Sequence, residues 1–159
     1  MRIGKWIVVG IFATLTMDLG GTFLRRIGLI AGLDPRLIGR WFASLAGGHP
    51  FHRSILDAPP VRGELAVAFV CHYAIGVSLA LIFYAVQTAL PLRISAAAEA
   101  ALALGYGMLT NALPYLIMYP AMGFGVLGLA APRDLLLTRS AFALHVLYGA
   151  GLAAFHRIV

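Results

Sequence analysis

Residues 65–90, LAVAFVCHYAIGVSLALIFYAVQTAL, run for 26 positions without one Asp, Glu, Lys or Arg. As a helix rising about 1.5 Å per residue, this segment is long enough to cross about 30 Å of hydrocarbon. Working outward, three more apolar stretches read the same way: Trp6 to about Leu29, Ala96 to Tyr119 and Thr138 to Phe155. The whole 159-residue chain is 61% hydrophobic and 11% charged, against about 25% charged in a soluble domain. Too little charge remains to cover a water-facing surface. The predicted fold class is an all-α integral membrane protein, an antiparallel four-helix transmembrane bundle over residues 1–159 as a single domain.

The connections refine that picture. The tight second connection, Pro91 to Ser95, forces the second and third spans into an antiparallel hairpin. In the long first connection, Asp34-Pro35 reads as an N-cap followed by proline at the first helical position. A short helix over 35–46 follows, with Leu37, Ile38, Trp41, Phe42 and Leu45 on one side. An amphipathic helix of that kind suits the membrane interface. Trp6 and Trp41 read as interfacial anchors. Pro114 and Pro120 lie in or at the end of the third span, and each frees a carbonyl that a neighbour must satisfy. Arg2 and Lys5 before an apolar run resemble a secretory leader, but Asp18 falls where a leader's apolar core belongs, so the first helix is expected to stay. The single cysteine, Cys71, excludes an internal disulfide and a cysteine-rich zinc site.

The net charge of +6 is informative through its placement. Arg25, Arg26, Arg36, Arg40, Arg53 and Arg62 belong to the first connection or its edges, and Arg133 and Arg139 flank the third. Only Arg2, Lys5, Arg93 and Arg157 fall on the other face. This asymmetry predicts cytoplasmic first and third connections. It excludes nucleic acid as a natural partner, since the arginines border membrane helices. Membrane lipids, or an anionic or lipid-linked small molecule, fit better.

Four polar side chains interrupt the apolar spans, one in each: Asp18, His72, Asn111 and His145. Counted from the nearest helix end, each lies roughly 10–14 Å inside the same face at 1.5 Å per residue. Polar groups at such depth are rare and serve substrates, proton relays or ligands. Helical phase aligns Asn111 with Tyr115, and Asp18 with Arg25.

Several short motifs carry a family resemblance. They are Ala13-Thr14-Leu15-Thr16-Met17-Asp18-Leu19, Gly39-Arg40-Trp41, the stretch His52 to Pro60, Gly63-Glu64, His72-Tyr73-Ala74-Ile75-Gly76, Pro120 to Gly125, and His145. Together they resemble the bacterial inner-membrane family catalogued as domain of unknown function 2938, across nearly the whole chain. The resemblance implies a four-helix protein of the bacterial inner (plasma) membrane, and it implies no activity. The family's recurrent polar positions map onto Asp18, Arg40, His52, Glu64, His72 and His145.

Three functions compete. The reading adopted is a membrane-embedded hydrolase acting on a lipid or lipid-linked, possibly glycolipid, substrate. In it Asp18 and Glu64 form a carboxylate pair with divided acid and base roles, and His72 and His145 orient water or the leaving group. Arg25, Arg36, Arg40, His52, Arg53, Asn111 and Tyr115 then hold the substrate. No cofactor is needed. The alternative is haem or a divalent metal held by His72 and His145. A third reading is a non-catalytic interaction or transport subunit, which would work as a homo-oligomer.

Overall fold

The computed structural model describes residues 2–89 and 94–158. Among them there are helices and turns but no strand. Helix α1 spans Arg2–Arg26, α2 Pro35–Ala46, α3 Glu64–Ala89 and α4 Ala96–Leu109. After a π-helical turn at Pro114–Met118 come the single turn α5 (Tyr119–Ala121) and the long α6 (Leu137–Ile158). Four segments are long and apolar enough to cross a membrane: Ile3–Arg26, Glu64–Ala89, Ala96–Ala121 and Arg133–Arg157. The predicted tight connection falls largely on residues 90–93, which lie outside the described residues.

Local chemistry sets the helix ends. α1 stops at Arg26 rather than near Leu29, because Gly28 takes φ +72 and turns the chain. There Gly28 N–H donates to the Arg25 carbonyl and Leu29 N–H to the Leu24 carbonyl, the glycine-closed Schellman ending. α2 begins where the sequence predicts: the Asp34 carboxylate accepts from Arg36 N–H at 2.9 Å and Pro35 opens the helix. The third span differs from the single helix expected over 96–119. It leaves α-geometry at Thr110 and Asn111 and then winds as a π-helix. Pro114 has no N–H to give, so the Thr110 carbonyl accepts from Leu113 N–H at 3.1 Å instead.

Small residues let the long helices approach closely, as membrane helices do in the absence of a water-driven force between them. α1 lies between α3 and α6, and α6 between α1 and α4. A Cβ on Gly151 would come within 2.6 Å of Ala13 Cα, and one on Gly107 within 2.6 Å of Gly149 Cα. α2 packs against the start of α3 through Gly39, where any Cβ would overlap the Glu64 carbonyl oxygen. Gly39→Ala is therefore expected to lower stability at the upper end of the ~1–3 kcal/mol typical of overpacking, since backbone atoms cannot step aside. Thermal unfolding of the purified variant measures it, and an unchanged midpoint would contradict the α2–α3 contact.

The apolar core is split in two. One part joins Trp6, Val9 and Ala13 of α1, Ala80 and Phe83 of α3, Ala103 of α4, and Tyr148 and Leu152 of α6. The other gathers Trp41, Ile55, Tyr119, Ala121, Met122, Phe124, Leu137 and Ala141 where the first and third connections meet. Those connections are stitched by backbone bonds, His52 N–H to the Ala121 carbonyl at 2.7 Å and Ile55 N–H to the Met122 carbonyl at 2.9 Å. Trp6 and Trp41 are buried, each 6% exposed, one in each core. Asp18, His72, Thr110, Asn111 and His145 fall between the two cores along their helices.

Candidate functional site

Counting along the observed helices, Asp18 lies eight residues before the end of α1, and His72 and His145 eight after the starts of α3 and α6. Each is about 12 Å along its helix from the end that carries the first and third connections. Asp18 enters the α1–α3 interface one turn beyond Thr14, which fills the space that a side chain on Gly76 would need. Its carboxylate divides between two partners: Oδ1 is 3.0 Å from His72 Nε2, and Oδ2 accepts from the Tyr73 hydroxyl at 3.0 Å. With Asp18 ionised, Nε2 of His72 carries the proton and Nδ1 is the basic nitrogen. About a third of each side chain stays exposed, 33% for Asp18 and 32% for His72.

His145 belongs to a second pair. The Thr110 hydroxyl donates its only hydrogen to the Gly107 carbonyl at 2.6 Å, so its contact with His145 at 2.7 Å is donated by the ring Nδ1. That leaves Nε2 of His145 as its basic nitrogen. Asn111 sits at the break in the third span, 4% exposed. Its amide Nδ2 donates to the Met108 carbonyl at 3.2 Å, and its Oδ1 is buried without a partner. The break thus sets Thr110 against His145, with Asn111 next to it in the chain.

Glu64 does not join Asp18. It receives Arg40 through two hydrogen bonds, Nε to Oε2 at 2.9 Å and Nη2 to Oε1 at 3.2 Å. Val61 N–H adds a third at 3.0 Å, while Arg40 Nη1 donates to the Ala58 carbonyl at 2.7 Å. Side-chain exposure is 10% for Arg40 and 9% for Glu64. Hydrogen bonding to Glu64 raises the Arg40 pKa above its ordinary value, so the guanidinium stays charged. Two turns of α3, about 12 Å, separate Glu64 from His72 and its Asp18 partner. The expected carboxylate pair is therefore not assembled, and Arg40 is engaged with Glu64 and Ala58 rather than open to a ligand.

The remaining predicted residues scatter around the same end. His52 and Arg53 line an open cavity of about 550 Å³ with Ser44, Ser54 and Asp57. Its other walls include Ala58 and Val61, the backbone partners of the Arg40–Glu64 pair. Nε2 of His52 is buried with no hydrogen-bond partner. Arg25 is exposed and donates to Thr22 Oγ1 at 3.2 Å, not to Asp18. Arg36 forms an exposed pair with Asp34 at 3.7 Å. Tyr115 donates to the Thr138 carbonyl at 2.6 Å and ties the π-helical turn to α6.

Sequence reasoning did not single out Tyr73 and Thr110. Each is a neighbour of a chosen polar residue, and that adjacency was the available signal.

A family model described as protein of unknown function DUF2938 matches residues 7–159. The chain belongs to this family. The match runs through α1 to α6 and takes in every residue of both polar pairs and of the Arg40–Glu64 pair. No curated protein and no solved structure matches the chain.

Proposed function

We propose that this member of the DUF2938 family is a multi-pass protein of the bacterial inner membrane whose Asp18–His72 pair is an acid–base centre acting on a lipid or lipid-linked substrate. In this reading the four long segments cross the bilayer antiparallel, α2 lies in the interface, and the 550 Å³ cavity at His52 and Arg53 receives an anionic headgroup. The observation that carries the reading is a carboxylate holding one nitrogen of an imidazole about 12 Å along an apolar helix, with a third of both side chains still open. Packing alone has no use for that combination, because ionisable groups are unfavourable at such depth.

The chemistry follows from the proton positions. Nδ1 of His72 takes a proton from water, and the hydroxide attacks an ester-type carbon or phosphorus of the substrate. Asp18 stabilises the imidazolium that forms, and the same proton goes to the leaving oxygen. His145 Nε2 accepts a hydrogen bond from the attacking water. A histidine base suits ester cleavage better than the two-carboxylate route to glycosidic cleavage, since Glu64 is held by Arg40. Incubating the purified protein with a bacterial total-lipid extract, followed by lipid mass spectrometry, tests the proposal. One lipid class should fall while its hydrolysis product rises, and an unaltered lipid profile would count against it.

A second reading has its own support in the two basic nitrogens, Nδ1 of His72 and Nε2 of His145, on rings eight residues into α3 and α6. These suit axial ligation of haem or coordination of a divalent metal. Titration with haemin, watched at the Soret band in wild type and His145→Ala, separates that reading from hydrolysis.

A further inference from the structure

The opposite end of the molecule holds a second pocket of about 320 Å³, lined by Lys5 and Trp6 of α1, Tyr84, Gln87 and Thr88 of α3, and His156 of α6. Lys5 is 13 residues from Asp18 on α1, about 20 Å away, so the pocket is separate from the acid–base layer. Trp6 lines it and stacks with Tyr84 at 5.4 Å and with His156 at 6.3 Å between ring centroids. That stack fixes the His156 ring. Its Nδ1 donates to the Leu152 carbonyl at 2.9 Å. Its Nε2 is buried with no hydrogen-bond partner, in a side chain only 10% exposed. Glu99 Oε2, which also accepts from Arg157, lies 3.6 Å from it, within ion-pair range of a protonated ring. A buried polar atom without a partner beside an open pocket is a group waiting for one.

We propose that this pocket binds a phosphate group, that of an anionic lipid headgroup or of a soluble phosphate compound. Lys5 supplies the charge, and the Gln87 amide supplies neutral N–H donors. His156 adds Nε2 at the pocket wall, a donor in the doubly protonated ring. Arg157 offsets Glu99, so the local charge is positive. The aromatic walls fit the level at which headgroups meet hydrocarbon, where Trp and Tyr concentrate. Basic pockets between membrane helices hold lipid phosphates in this way. The proposal stands whether or not Asp18 and His72 are catalytic.

Native mass spectrometry of the full chain in detergent tests it, using phosphatidylglycerol and diacylglycerol of the same acyl chains as probes. The wild type should retain phosphatidylglycerol in preference to diacylglycerol, which lacks the phosphate. Lys5→Gln should weaken that retention about fivefold, the effect of one cation near a lipid surface. Gln87→Ala should weaken it too. Both positions are half-buried and neither side chain belongs to the apolar core, so folding is preserved. His156→Phe keeps the stack with Trp6 while removing Nε2, and should act in the same direction. Displacement of the lipid by inorganic phosphate would support the site and assign it to soluble phosphates. Resistance to displacement, with the variants still weakened, would assign it to the lipid. Equal retention of the two lipids, unchanged in all three variants, would overturn the proposal.

Discussion

Asp18→Asn is expected to lower turnover of the lipid substrate by about 10²–10⁴-fold, the range contributed by a positioned acid–base group, while leaving the melting temperature close to wild type. The amide is isosteric with the carboxylate. Its oxygen still accepts from His72 Nε2, and its NH₂ still reaches the Tyr73 hydroxyl, so the α1–α3 contact survives. What disappears is the negative charge that stabilises a protonated His72. His72→Gln should cost as much, and the double variant little more, because the two residues act as one unit. Tyr73→Phe removes one of the two bonds to the carboxylate and should have a smaller effect. If Asp18→Asn instead prevented folding while leaving the turnover of surviving protein intact, the pair would be a structural tie.

Arg40→Ala is expected to have the largest effect on stability, a fall in melting temperature on the order of 10 °C. The substitution strands the carboxylate of Glu64, whose side chain is 9% exposed, and removes the donor to the Ala58 carbonyl. Those bonds fasten α2 and the irregular 58–61 stretch to the start of α3. Arg36→Ala provides the contrast. It breaks a pair whose side chains are 58% and 50% exposed and should leave the melting temperature nearly unchanged. Arg40→Lys should fall between, since an ammonium cannot reproduce the two parallel bonds to Glu64. Arg40→Met combined with Glu64→Leu should recover much of the loss, because removing both charges leaves neither one stranded. Equal melting temperatures for Arg40→Ala and Arg36→Ala would show that the buried pair does not hold α2 in place.

The two substitutions separate what the sequence makes legible from what it hides. The long segments are plain from composition, because each must be apolar through its length and only charge or Pro-Gly clusters can end it. α2 is equally plain, since Asp34-Pro35 and a one-sided apolar pattern are local signals. The common depth of Asp18, His72 and His145 follows from counting along helices, and the family motifs around them cover the same positions. The pairing of those residues is another matter. Glu64 and Arg40 are 24 positions apart across an irregular connection, and no helical periodicity relates them. With few carboxylates in the chain, Asp18 and Glu64 looked like partners. Depth along the helix decides otherwise: the first turn of α3 belongs to α2, and the third turn belongs to α1. The break at Thr110–Asn111 was only half legible. Pro114 announces a disturbance, but whether a span kinks, bulges or breaks depends on what the neighbours offer. Here His145 reaches Thr110, and Tyr115 ties the π-helical turn to α6. Tyr73 takes the second oxygen of the Asp18 carboxylate, and its place beside His72 was the one hint of that.

The contact on which the account depends most is the one between Asp18 and His72. Nitrogen-15 NMR of histidine-labelled protein in lipid, with the His72 resonances assigned by comparison with His72→Gln, reads the proton positions on that ring directly. The expected result is a single tautomer protonated at Nε2, the nitrogen that faces Asp18 Oδ1 at 3.0 Å, with Nδ1 bare. A ring that averages between tautomers, or one protonated at Nδ1 alone, would contradict the Asp18–His72 contact.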